Sequence, residues 1–138
     1  MKRHMSRRLV GLSAMAVFAT AALLGPAAGF GATSHNVKFR FVGTFKNGVL
    51  KATIHGGPFN RCHGDGKTNP DNTTNYKMKC PKGTIKLHLV GKCGLNNDQC
   101  GIWKALGGTG PWRHLTGRGT FSGKISDGYL TYKGRVRY

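Results

Sequence analysis

The sequence predicts an all-β fold: a single antiparallel barrel or sandwich of about eight strands, stapled by disulfides. Three observations lead there. Apolar and polar residues alternate with period two along most of the chain beyond residue 32, which is the pattern of strands with one buried and one wet face. Asn47-Gly48, Pro81-Lys-Gly83 and Asp127-Gly128 punctuate the alternating stretches with residues that suit tight turns. Helical periodicity is missing, and four cysteines supply the covalent help that a small core needs.

Residues 1–32 read as a secretory signal peptide. Lys2, Arg3, Arg7 and Arg8 form a basic start, Leu9 to Leu24 is a mostly apolar run, and Pro26-Ala-Ala-Gly-Phe-Gly-Ala32 offers small residues for cleavage. The apolar run is short for a bilayer, which takes about 20 apolar residues, so the mature chain is expected to carry no integral membrane span. An uncleaved anchor is the alternative. Arg7-Arg8 has a twin-arginine look, yet paired arginines are ordinary in such a region, so the general secretory route is the expectation. The domain expected to work is residues 33–138, secreted and extracellular.

Its first strand is expected over Val37-Lys-Phe-Arg-Phe-Val42, its second over Leu50-Lys-Ala-Thr-Ile-His55. Asn47-Gly48 between them should make a two-residue hairpin turn, since both central positions of such a turn take positive φ. His55 to Asn75 is long, polar and rich in Gly, Asn and Pro, and is read as a surface loop pinned by Cys62. Tyr76-Lys-Met-Lys-Cys80 and Ile85-Lys-Leu-His-Leu89 alternate again, with Pro81-Lys-Gly83 as the turn between them. At the end comes Leu130-Thr-Tyr-Lys-Gly-Arg-Val-Arg-Tyr138, preceded by Asp127-Gly128 as a second expected two-residue turn.

An exported chain with an even number of cysteines usually closes disulfides. Three pairings of Cys62, Cys80, Cys93 and Cys100 are formally open, and Cys62 with Cys80 and Cys93 with Cys100 are preferred because near neighbours in a hairpin-rich chain meet without long-range rearrangement. A zinc site would need ligand spacings of the C-x-x-C kind, which are missing. No cofactor or metal is expected.

Between the last two segments runs Gly107-Gly-Thr-Gly-Pro-Trp-Arg-His-Leu-Thr-Gly-Arg-Gly-Thr-Phe-Ser-Gly123. Its Gly-x-Gly spacings invite a phosphate-loop reading, but such a loop must enter a helix whose N-terminus faces the phosphate. Here the chain continues into more strand-like alternation. The glycines are therefore read as bulges and bends of a curved sheet, with Trp112, Leu115 and Phe121 packing beneath. Gly108-Thr-Gly110, Trp112, Gly117, Gly119, Phe121 and Tyr132-Lys-Gly134 together resemble the C-terminal part of small exported bacterial β-barrel proteins of the allene oxide cyclase and dirigent-like kind. The resemblance covers roughly the last 30 residues and implies a barrel of about eight strands. It carries no catalytic residue across.

Charge is the most informative feature. The whole chain has 22 Lys and Arg against four acidic residues; removing Lys2, Arg3, Arg7 and Arg8 leaves 18 against four, a net of +14. The four acids are Asp65, Asp71, Asp98 and Asp127, all in turn-like company, and Glu is absent. Paired-carboxylate hydrolysis, which needs two such groups across one bond, is thereby disfavoured. Lys38, Arg40, Lys51, Lys77, Lys79, Lys86, Lys133, Arg135 and Arg137 all fall on the wet faces of expected strands, and Tyr129 joins the last set as a stacking platform. A sheet normally mixes signs because like charges directly opposite each other are destabilising. An anionic polymer or cell-surface component is therefore the expected partner: nucleic acid, teichoic acid or anionic headgroups, bound without catalysis through counterion release. Two alternatives remain open. His55, His88 and His114 with a neighbouring Lys would suit a secreted metal-independent ribonuclease or toxin, and a barrel of about eight strands can hold a small apolar ligand.

Overall fold

The computed structural model describes residues 33–138 apart from Gly48 and Leu95; the signal-peptide reading of residues 1–32 lies outside the described residues. Eight strands form one closed antiparallel barrel, each paired with its neighbours in sequence and β1 closing onto β8. They are β1 (Ser34–Lys46), β2 (Val49–His55), β3 (His63–Thr68), β4 (Thr73–Cys80), β5 (Gly83–Cys93), β6 (Asp98–Gly108), β7 (Thr116–Lys124) and β8 (Leu130–Arg137). Two short 3-10 turns, Gly110–Trp112 and Ile125–Asp127, complete the secondary structure. No helix among the described residues is long and apolar enough to cross a membrane.

Alternation explains the five strands legible in the sequence. Val37, Phe39 and Phe41 point inward from β1, Ala52 and Ile54 from β2, Tyr76 and Met78 from β4, Ile85, Leu87 and Leu89 from β5, and Tyr132 and Val136 from β8, and all are buried. Their outward neighbours are mostly cationic or hydroxylated. A side-chain period of two locks this register, because a slip by one residue would turn every apolar group to water.

The glycines do a different job from the one their spacing suggested. Interior aromatics stand directly opposite inward glycines: Tyr76 opposite Gly66, Phe121 opposite Gly101, and Trp103 opposite Gly119. A methyl group on Gly119 would lie 2.7 Å from the Trp103 indole nitrogen, and one on Gly134 would lie 2.8 Å from the same ring. Hydrogen is the only side chain that leaves the indole its space. β7 keeps unbroken register with both neighbours, so its glycines are not bulges. The bulges lie between β5 and β6, at Ile85/Leu87 and Gly91/Cys93, and the first of them falls at Gly107, φ 92°, so the bulge reading holds for the start of the glycine-rich stretch and not for β7. Trp112, Leu115 and Phe121 are buried as expected.

Two further readings need correction. The polar segment from His55 to Asn75 is not all loop, since His63–Thr68 forms β3 and pairs with both β2 and β4. Its inward positions are Gly64 and Gly66, filled from across the sheet, so it shows no apolar alternation. Asp127-Gly128 does not form a two-residue turn: residues 125–129 connect β7 to β8, with Gly128 at φ 73° after the 3-10 turn. Asn47, at φ 53°, does open a two-residue connection.

Both disulfides join the preferred pairs, Cys62–Cys80 and Cys93–Cys100. The first ties the chain entering β3 to the end of β4, and the second links directly opposed residues of β5 and β6. Two disulfides fit a chain that folds in an oxidising, extracytoplasmic environment.

Candidate functional site

Closure of the barrel decides which cations meet. His88 on β5 faces Lys104 on β6, Lys104 faces Arg118 on β7, and Arg118 faces Arg135 on β8. Four adjacent strands therefore carry one in-register row of basic groups, with Cβ atoms of neighbours roughly 4.5–5.5 Å apart. His88 Nδ1–H donates to Asn75 Oδ1 at 2.7 Å, and Arg135 Nε–H donates to Asn36 Oδ1 at 3.0 Å. Neutral amides thus hold both ends of the row. One step along the barrel axis, Lys133 faces Lys38 across the β8–β1 seam.

Of the other expected cations, Lys86 and Arg137 lie on β5 and β8 outside the row, and Arg40, Lys51, Lys77 and Lys79 lie on β1, β2 and β4. Lys51 and Lys77 flank Asp65, which lies in mid-strand on β3 rather than in a turn. Lys86 faces Lys77, Lys79 faces His63, Arg40 faces His55, and Arg137 faces Ser34 and Thr116. Every strand consequently bears at least one cation. What singles out this row is that no acid interrupts it: Asp98 opens β6 and faces Lys124 at one end of the barrel, Asp71 and Asp127 lie beside turns at that same end, and Asp65 lies on β3. Two hydrogen bonds from Thr73, the hydroxyl at 2.6 Å and the amide at 3.1 Å, hold the Asp71 carboxyl below its ordinary pKa.

Tyr129 is half buried just before β8, at the barrel lip, with the Arg40 guanidinium 4.8 Å from its ring centroid. One face of the expected stacking platform is thus occupied within the chain. The histidines do not converge as a catalytic pair would require. β3 and β4 separate His55 on β2 from His88 on β5, and His114 lies exposed in the β6–β7 connection. Lys104 and Arg118, which complete the row, were missed in the sequence because Ile102 and Leu106 expose apolar groups on β6 and glycines flank Arg118 on β7.

The two ends of the barrel differ. One is closed by the β2–β3 and β6–β7 connections, which lay Phe59 and Trp112 edge to face at 5.3 Å, with Phe59 in turn packed on Phe39. The other opens into a cavity of about 340 Å³ lined by Phe41, Leu50, Tyr76, Leu89, Phe121 and Tyr132, with Asn72, Gln99, Lys124 and Ile125 also lining it. Burial pushes the Tyr76 phenol up to about 12. Tyr132 is raised well above its ordinary value, by burial first and by the neighbouring Tyr76 second.

Compared with known proteins, the chain matches no family model, no curated protein and no solved structure.

Proposed function

We propose that the protein is a secreted, non-catalytic basic barrel that binds an anionic polymer or surface along the β5–β8 wall. The observation that carries this reading is the acid-free row His88–Lys104–Arg118–Arg135, joined across the seam by Lys133 and Lys38. Each directly opposed like-charged pair costs roughly a few tenths of a kcal/mol in an isolated sheet. A chain that stacks two such pairs in succession, Lys104–Arg118 and Arg118–Arg135, with a third at Lys133–Lys38, gains most when an external anion neutralises them, releasing condensed counterions as it binds. The resemblance of the last 30 residues to exported bacterial barrels accords with this setting.

Binding of a fluorescent single-stranded oligonucleotide across a salt series tests the proposal. The double variant Lys104→Glu/Arg118→Glu should lower affinity at least tenfold at low salt and flatten the slope of log K against log salt by about 1.4, two contacts at roughly 0.7 each. Lys51→Glu/Lys77→Glu changes net charge equally on the wall that holds Asp65, and should cost less than about threefold if the row is the site. Equal losses from the two doubles would reduce the interaction to net charge alone and overturn the assignment.

A further inference from the structure

The open end of the barrel holds a second site that the cationic wall does not use. We infer that the mouth binds a small, neutral molecule with a flat apolar body and a hydrogen-bond acceptor at its inner end, such as a ketone, ester or ether oxygen. Three features of the structure converge on this. The cavity of about 340 Å³ falls within the roughly 300–1,000 Å³ range of small-ligand pockets, and barrels of eight strands are wide enough to hold one such ligand. Its wall is aromatic and aliphatic, with Phe41, Phe121, Leu50 and Leu89 among its lining residues. The Tyr132 hydroxyl, in a residue 0 % exposed, has no hydrogen-bond partner.

An unpaired buried hydroxyl costs roughly 1–3 kcal/mol, and the chain retains one where Phe would pack as well. Tyr132 lines the cavity with its hydroxyl enclosed beneath the wall, so an entering acceptor satisfies the group by displacing the wall over it. Tyr76 beside it is a second phenol. Both phenols are protonated at physiological pH, as phenols ordinarily are, so both can donate. Of the lining residues only Lys124 is cationic, and Lys124 faces Asp98 across the sheet. Lys124 stands exposed at the end of β7, so a carboxylate or phosphate taken to the depth of Tyr132 would lose its water away from that counter-charge, which selects a neutral acceptor. Ile125, 60 % exposed at the lip, offers an apolar threshold on the way in.

Prodan, a neutral naphthalene with a ketone, is a suitable probe, with 2-(dimethylamino)naphthalene as the analogue without the ketone. The full mature chain should bind both saturably, with blue-shifted prodan emission that is insensitive to salt. Tyr132→Phe should weaken prodan about tenfold, the worth of one buried hydrogen bond, and leave the analogue unchanged. Leu50→Trp and Leu130→Trp fill the mouth from two different strands, and either one that retains the wild-type circular dichroism should abolish binding of both probes. Absent or non-saturating binding by the wild type would overturn the assignment. So would equal effects of Tyr132→Phe on the two probes, or undiminished binding to a folded filling variant. Because the probes carry no charge, these outcomes are independent of whether the cationic wall binds polyanions.

Discussion

The closed and open ends of the barrel are built from the same eight strands and reach opposite solutions to one problem. A barrel interior must be filled by side chains or left to a ligand. At the closed end the connections run over residues 56–62 and 109–115, long enough to fold Phe59, Trp112 and Leu115 back over the core. Backbone bonds from Arg61 to the Ile54 carbonyl at 2.9 Å and from Ile54 to the Cys62 carbonyl at 2.7 Å fasten the first of these loops. Among the described residues, no connection at the open end carries a fully buried aromatic; Tyr129 of the β7–β8 connection is only half buried and lines the mouth. The β1–β2 turn is too short to do so, and the β7–β8 connection leaves Ile125 exposed. The lesson is that loop length and one inward aromatic per loop decide whether a barrel of this size is plugged or open.

The largest effect should come from breaking the plug. Trp112→Ala removes a buried indole and is expected to lower stability by about 3–5 kcal/mol, read as a shift in the denaturant midpoint. Leu50→Ala at the partly open mouth should cost distinctly less. Near-equal losses would show that the two ends are packed alike.

The disulfides sharpen the same contrast. Cys62–Cys80 staples the closed end across a separation of 18 residues and Cys93–Cys100 the open end across 7. Loop-closure entropy then assigns about 3 kcal/mol to the first and about 2 kcal/mol to the second. Paired Cys→Ala variants compared by thermal unfolding should rank in that order, and the reverse ranking would mean that the open end depends on its staple more than chain entropy predicts.

Alkaline pH probes the open end selectively. Tyr76 has its pKa raised from 10.0 to about 12 by burial, so the unfolded chain releases this proton first. Stability is therefore complete below pH 10 and falls as pH rises toward 12, by about 2–3 kcal/mol from this group. Tyr132 acts in the same direction. Unfolding of Tyr76→Phe across this window should show a shallower decline than wild type, and parallel curves would remove the phenol as the cause. The smallest effect belongs to Gly128→Ala. The site has φ 73° with nothing within 4 Å of the added methyl, so the cost is conformational alone, about 1 kcal/mol, and chemical denaturation should show no more.

Much of this architecture is legible in the residues, and the failures have physical causes. Five strands announce themselves because their inward positions carry Phe, Ile, Leu, Met or Tyr. β3 stays silent because Gly64 and Gly66 yield their interior volume to β4, so the apolar signal for one strand is written in its neighbour. β6 is blurred because Ile102 and Leu106 face outward while Gly101 and Ala105 face inward. The basic row was half visible: the wet-face cations could be named one by one, but Lys104 and Arg118 gain their meaning only beside His88 and Arg135. The mouth left little trace, since a partnerless hydroxyl is a property of surroundings and not of the residue Tyr132.

The order of residues by itself determined the β class, the near-neighbour cysteine pairs and the excess of positive charge, because alternation, spacing and composition act locally along the chain. Which strands lie side by side, where four basic groups fall into one line and which end of the barrel stays open were decided only when β1 closed onto β8. That closure fixes distances between residues far apart in sequence, and it is those distances that set scattered cations in one row and leave a single phenol without a partner.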